Sequence, residues 1–360
     1  MNSSPPNSTD QAREKDFRVP WLRWPFAHDA PQVYVLQTYG QSERAAPLSV
    51  HAGLDLAAPP GTSVFSPLSG EVSQIFNSVY APHERGLAIR TVHRGLQVSL
   101  KLVHLEQSSL RYALGDWIEA GDLLGTLCLW PNDRYPTHLH IEMGWGEVYT
   151  EVYEGESKLQ LRPRHMFRPN ANPLVYLQAP ADEVPPRLVP LDSSGPFRFR
   201  QLPPTLSDLR TLGPIQRGQE FGTVLAPDAL YGWVDIQFAA ADGYSQADRS
   251  VVAPYELRLV IRRATGDKDT ILDRFLRMDG DLYRGNRFAQ GIYLWPPDQM
   301  FAEHSAFVFH LTAFNGEGAN QLEPQAWRTE PGEYEVTLYG SDLAHKDVLL
   351  ATQVVRVLAR

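Results

Sequence analysis

Short runs in which apolar and polar positions alternate dominate the chain, and no stretch between 31 and 178 keeps a 3.6-residue period. Over that stretch the runs are "QVYVLQTYG", "SVFSPLSGEVSQIF", "LAIRTVH", "LQVSLKLVHL", "LLGTLCLW" and "THLHIEM". Gly and Pro punctuate them, which predicts an antiparallel sheet. A second series follows: "PFRFRQL", "YGWVDIQFAAAD", "PYELRLVIRR", "TILDRFLRM", "SAFVFHLTAF", "GEYEVTLYGSD" and "LLATQVVRVLA". Strands at that density predict a β-sandwich over 197–360, with short helices in longer loops such as 278–304. Between the two series, "QAPADEVPPRLVPLDSSGP" reads as a linker at 179–196. Residues 1–30 read as a polar, disordered tail. The expected fold is therefore all-β, in two domains, and no internal repeat is apparent.

Length agrees with this division, because 360 residues exceed one ordinary core. The composition, 43% hydrophobic and 21% charged, is that of a globular protein. A net charge of −9 without a basic run argues against nucleic acid as a partner. No segment is apolar and long enough for a transmembrane helix. The single cysteine, Cys128, excludes an intramolecular disulfide and a zinc site built on thiolates. It reads as a small buried hydrophobe.

The candidate chemistry lies in histidines. His138 and His140 sit one residue apart in "THLHIEM", so in a strand both rings point to one face and Leu139 to the other. Such a pair can be two metal ligands, or one ligand and one catalytic group, or a solvated face. "HAGLD" places His51 four residues before Asp55; fully extended, that spans about 13 Å, too far for one metal ion. A bend at Gly53 would bring them together. A third donor from another strand would then complete a site with three protein ligands and a position left for water. His104, in the apolar strand "LQVSLKLVHL", can equally be a packed core histidine.

Taken in order, these segments resemble the lysostaphin-type (LytM-like) zinc metallopeptidases, over about 31–178. The similar segments are "HAGLDLAAPPGTSVFSPLSGEV", "RTVHRGLQVSLKLVHL", "LGDWIEAGDLLGTL", "THLHIEM" and the closing "NPLVYL". The resemblance implies His51, Asp55 and His140 as ligands of one Zn2+ per chain, and His104 and His138 as catalytic groups. It implies hydrolysis of peptide bonds in peptidoglycan stem peptides or cross-bridges by a metal-activated water. Alternatives are a non-enzymatic regulatory or binding protein on the same scaffold, and a zinc peptidase acting on non-wall peptides. The resemblance also implies a periplasmic or extracellular location, whereas "MNSSPPNSTDQAREKDFRVPWLRWPF" lacks the apolar core of a secretory signal, so that either the protein stays in the cytoplasm or its signal lies outside this sequence.

Several residues keep a bland reading beside the functional one. His93 reads as structural. Glu142 is either a partner that fixes an imidazole tautomer or a strand-end carboxylate. His28, His83, His165, His304, His310 and His345 read as surface or packing residues. In place of the family's small-residue loop before the H-x-H pair stands "CLWPNDRYPTH", with bulky Trp130, Arg134 and Tyr135. Residues 197–360 show no ionisable cluster distinguishable from a surface. That domain is expected to be an immunoglobulin-like accessory module that docks a protein partner, binds wall material or covers the groove.

Overall fold

The computed structural model describes residues 20–30, 33–41, 51–77, 83–131, 135–145, 170–191, 195–202, 223–243, 251–266, 269–278, 307–310 and 330–359. Regular structure among them is β-strand, apart from 3-10 turns at Gln107–Ser109 and Pro173–Val175. The strand pairs from β2 to β19 whose register is described run antiparallel. No helix among the described residues is long and apolar enough to cross a membrane. The chain divides into two compact units, 1–33 with 53–180 and 34–52 with 181–360. Strand β1 (Tyr34–Gln37) therefore groups with the second unit.

The first unit holds β2 (Leu54–Ala57), β3 (Ser63–Phe65), β4 (Gly70–Asn77), β5 (Glu84–His93), β6 (Leu96–Glu106), β7 (Trp117–Ile118), β8 (Leu123–Thr126), β9 (His138–Trp145) and β10 (Asn170–Ala171). Its main sheet runs β2–β9–β6–β5–β4–β7, with β10 against β9, and β3 pairs β8 separately. Each apolar run of the sequence becomes a strand because alternation gives it one dry face. Leu54, Leu56, Leu100, Leu102, Leu139 and Ile141 are fully buried. The tight β5–β6 hairpin turns on Arg94 and Gly95, both at positive φ (49° and 81°), the geometry a two-residue turn needs to match strand twist. Residues 20–30, expected as tail, are docked instead. Leu22 and Phe26 are buried, and the Trp21 and Leu22 amides donate to the Tyr176 carbonyl. Residues 1–19 lie outside the described residues.

The second unit holds β11 (Arg187–Val189), β12 (Arg198–Leu202), β13 (Thr223–Leu225), β14 (Trp233–Ala241), β15 (Glu256–Arg263), β16 (Thr270–Arg277), β17 (Phe307–His310), β18 (Gly332–Ser341) and β19 (Val348–Val357). One sheet runs β11–β14–β12–β13 with β17 on β14; the other runs β16–β15–β18–β19. Side chains of both sheets form one hydrophobic cluster, including Phe199, Ile236, Phe238, Leu259, Phe309, Tyr334 and Leu338. Phe238 stacks on Phe309 with ring centroids 5.7 Å apart. The 179–196 stretch contributes β11, which pairs β14. The expectation of short helices in 278–304 falls almost wholly outside the described residues.

Phe238 sits at the centre of this cluster with no exposure. Phe238→Ala is expected to lower stability by about 3–5 kcal/mol, measured as a shift of the urea midpoint at constant slope.

Candidate metal centre

Strand register assembles the site. β2 pairs β9 so that Asp55 lies directly opposite His140, and Ala57 opposite His138. On the other side of β9, β6 places Lys101 opposite Glu142 and Val103 opposite His140. Residues 138, 140 and 142 share one strand face while Leu139 and Ile141 take the core face. The chain bends at Gly53 before β2 begins, the bend that Gly53 permits and that would bring His51 and Asp55 together. Gly53 is also a steric necessity. A Cβ there would lie 2.5 Å from the Ile141 carbonyl oxygen and 2.8 Å from Cε1 of His140.

These constraints bring one donor atom each from His51, Asp55 and His140 within 4.8 Å of one another. All three are well packed, His51 and Asp55 being buried and His140 half-buried. His51 is anchored by main-chain bonds, its amide to the Gln41 carbonyl and its carbonyl to the Gly40 amide.

Each imidazole is oriented through one ring nitrogen. His51 Nδ1 is 3.2 Å from the Thr38 carbonyl oxygen, and His138 Nδ1 is 2.8 Å from that of Pro136. Carbonyls only accept, so both Nδ1 atoms carry the proton, and in the neutral ring Nε2 holds the lone pair. His104 Nδ1 donates in the same way to the Glu84 carboxylate. His140 differs, because both nitrogens face carboxylates: Nδ1 lies 2.7 Å from Asp55 Oδ1 and Nε2 3.0 Å from Glu142 Oε1. Both nitrogens then donate. Burial pushes this imidazole down, but the Asp55 and Glu142 hydrogen bonds and charges outweigh it and hold it up at about 9.

Glu142 forms a buried ion pair with Lys101, Nζ to Oε1 2.8 Å, with side chains only 4% and 8% exposed. Burial alone would raise the Glu142 carboxyl. The Lys101 ammonium and the His140 ring reverse this and bring it to about 2. His138 is pushed down to about 4, mainly by burial, so at neutral pH it is an uncharged acceptor. Burial also lowers His104, more than the Glu84 contact raises it.

The three residues fit a divalent metal ion. They offer two imidazoles and a carboxylate, the donors of a site with an open position. The proton between Asp55 Oδ1 and His140 Nδ1 occupies the place a cation would take. Glu142 would keep the other ring proton and leave Nδ1 as the ligating atom.

The second pair of histidines borders this cluster. The His104 ring centroid is 4.5 Å from that of His138 and 6.1 Å from that of His140. Simple alternation along β6 would point His104 with Leu102, away from Lys101 and Glu142. The structure breaks the alternation with a β-bulge: Arg85 pairs Leu105 but Leu87 pairs Leu102, so Gly86 faces both Val103 and His104. His104 takes φ 74°, a conformation costing about 1–3 kcal/mol for a residue with a side chain. Strain of that kind is kept only where the surroundings over-determine it. Here the Glu84 contact and the packing of His138 and Trp130 do so.

The loop before His138 is built into the site. Trp130 packs its ring edge-on to His104 at 4.6 Å and lies 4.8 Å from His138. The Tyr135 hydroxyl donates to Asp55 Oδ2 at 3.3 Å. Arg134 lies outside the described residues. Sequence reasoning missed Glu84 and Lys101. A lysine between Leu100 and Leu102 in β6 was a readable signal for a buried partner, whereas nothing in "HERG" marked Glu84. His93 stacks flat on Trp21, centroids 3.9 Å apart. Cys128 is buried, and burial raises its thiol to about 11.

The comparisons with known proteins fall on this region. Residues 49–152 match the model of peptidase family M23. No curated protein matches the chain. Among solved structures the chain is similar to LytU, at 24% identity, with 34% of this chain and 81% of that one covered and a TM-score of 0.29. It is also similar to the catalytic domain of the antimicrobial peptidase lysostaphin from Staphylococcus simulans, at 22% identity, 31% and 80% coverage and a TM-score of 0.26. A third is the catalytic domain of the prophage-encoded M23 protein EnpA from Enterococcus faecalis, at 21% identity, 36% and 98% coverage and a TM-score of 0.27.

Lys101→Met leaves the Glu142 charge buried without its ammonium, and should cost about 3–5 kcal/mol. Adding Glu142→Leu should restore most of that loss, a coupling that a double-mutant cycle in urea reads directly. The raised Cys128 thiol is expected to resist iodoacetamide at pH 8 in the folded chain, with alkylation accelerating only as the pH approaches 11 or the chain unfolds.

Proposed function

We propose that this chain is a zinc metalloendopeptidase that cleaves peptide bonds in peptidoglycan peptides. The observation that carries the reading is the convergence of His51, Asp55 and His140 within 4.8 Å, beside two further imidazoles tethered through Nδ1. The family match over residues 49–152 supports a peptidase.

In this reading His51, Asp55 and His140 hold one zinc ion. Bound zinc would lower the pKa of a water towards 7 and polarise the scissile carbonyl. The chain's own groups do the rest. His138, uncharged and with its lone pair on Nε2, accepts a hydrogen bond from the attacking water and orients it. His104, whose Nδ1–H is held by Glu84, acts from the other side of the same space. Its ring is neutral at rest, so its Nε2 takes up a proton released by the water and only then donates to the oxygen that becomes negative as the carbonyl carbon turns tetrahedral. Tyr135 holds the second oxygen of Asp55, and Trp130 walls the two histidines off from bulk water. The substrate sets the location: the cell envelope or outside the cell.

Purified full-length chain is expected to contain one zinc per molecule and to release new amino termini from purified sacculi, abolished by a chelator. Mass spectrometry of the fragments identifies the cut bond. Cleavage of a peptide library but not of sacculi would move the substrate away from the wall. Zinc binding with neither cleavage would leave a non-enzymatic protein. His140→Ala should lose the metal. His138→Ala and His104→Ala should retain it and lose turnover by about 10²–10⁴-fold. Equal zinc loss in all three variants would overturn this division of roles.

A further inference from the structure

His51 lies in the stretch 34–52, which belongs to the second unit. A tight turn of Thr38, Tyr39, Gly40 and Gln41 holds it there. The Gln41 amide closes the turn by donating to the Thr38 carbonyl at 3.3 Å, and Gly40 takes φ 78°. A positive φ at the third position of a turn is where glycine is favoured. Three bonds clamp His51 to this turn. Its amide donates to the Gln41 carbonyl at 2.7 Å, its carbonyl accepts the Gly40 amide at 2.8 Å, and its Nδ1–H donates to the Thr38 carbonyl at 3.2 Å. The position and ring orientation of His51 are therefore those of the turn. The ring bond also reserves the Nε2 lone pair for a metal ion.

The turn is itself fixed by the Gln41 side chain. Its Oε1 gathers three donors: the Thr38 amide at 3.2 Å, the Thr38 hydroxyl at 3.3 Å and the Ala253 amide at 3.4 Å. The first two hold the residue whose carbonyl orients the imidazole. The third ties the turn to a residue 212 positions away. Ala253 follows Val252, which exchanges two main-chain bonds with Asp242 at 2.9 and 3.0 Å. Tyr39 is a second anchor, 1% exposed and part of the hydrophobic cluster that includes Phe238, Ala253 and Leu257. Thr38, Gln41, His51 and Ala253 are buried as well. Water is therefore a poor substitute for the Gln41 oxygen, and an apolar side chain at 41 would leave the Thr38 and Ala253 amides without this acceptor.

We propose that Gln41 is a positioning residue for the metal ligand His51. Through Thr38 it fixes the imidazole, and through Ala253 it couples metal binding at His51 to the packing of the second unit. The inference rests on the reading of His51, Asp55 and His140 as metal ligands. Coupling of this kind is reciprocal. An ion held by His51 steadies the turn and the Ala253 segment, and loosening the turn weakens the hold on the ion by the same factor. Metal affinity is thus set in part by residues that touch neither metal nor substrate.

The test uses the full-length chain, its Gln41→Met variant, which keeps the side-chain length without the acceptor, and Gln41→Glu, which keeps the acceptor. Each is stripped with a chelator, dialysed and titrated with Zn2+ against a chromophoric competitor. Gln41→Met is expected to bind zinc about 10- to 100-fold more weakly, and Gln41→Glu to recover most of that loss. Hydrogen exchange read by mass spectrometry gives the reciprocal effect. Zinc should slow exchange in peptides covering 34–41 and 251–257 of the unsubstituted chain, and should no longer do so at 251–257 in Gln41→Met. The exchange measurement on the unsubstituted chain decides the matter even where Gln41→Met folds poorly. Equal zinc affinity in Gln41→Met and the unsubstituted chain would overturn this proposal and leave the metal reading standing, as would zinc protection confined to 51–57 and 138–145. No zinc bound by the unsubstituted chain would overturn the metal reading, and this proposal with it.

Discussion

The register of β9 between β2 and β6 is the constraint on which the candidate centre depends. Residues directly opposite in an antiparallel pair have Cβ atoms about 4.5–5.5 Å apart, close enough for short polar side chains to meet. That spacing sets Asp55 against His140 and Lys101 against Glu142 in one continuous row. The row then runs as a chain of charges, Asp55, His140, Glu142 and Lys101, each held by the next. A slip of one residue would turn every one of these groups into the core and every core leucine outwards. The buried apolar face therefore protects the polar one. Leu56, Leu139 and Leu102 cannot leave the core without exposure to water, and so the register cannot drift.

One residue departs from this regularity. His104 reaches the polar face only because a bulge opposite Gly86 rotates it there at positive φ. The departure is held by contacts from outside its own strand: the Glu84 carboxylate, the edge of Trp130 and the ring of His138. Trp130 and Tyr135, bulky where the resembling family has small residues, are thus part of the site. They pack the histidines and hold a carboxylate oxygen of Asp55.

The two units handle buried charge differently. In the first, the buried carboxylate Glu142 is matched by a lysine and an imidazole, and its ordinary ionised form is favoured. In the second, Asp182 and Asp342 converge with His345, and Asp242 is buried within electrostatic reach of both aspartates. The same burial therefore raises Asp242 instead of lowering it. The difference lies in the partners: Glu142 faces a lysine and an imidazole, whereas the charges that reach Asp242 are those of Asp342 and Asp182.

The sequence by itself determined a good deal. Alternating apolar positions marked the principal strands of both units, because a strand with one dry face must repeat with period two. It also placed His138 and His140 on one face and, through Gly53, permitted a bend between His51 and Asp55. β2 itself was not legible, since "LDLA" is too short for a pattern, nor was β11 inside a proline-rich stretch. Tertiary structure alone decided which residues surround the histidines. Glu84 and Lys101 lie 20 and 41 positions from their partners. Asp182, Asp342 and His345 look like ordinary surface residues until the fold brings them together. Periodicity is a property of neighbouring residues, and so it is written in the chain. Burial of a charge beside a distant partner depends on register, bulges and strand order, and these exist only once the sheets have formed.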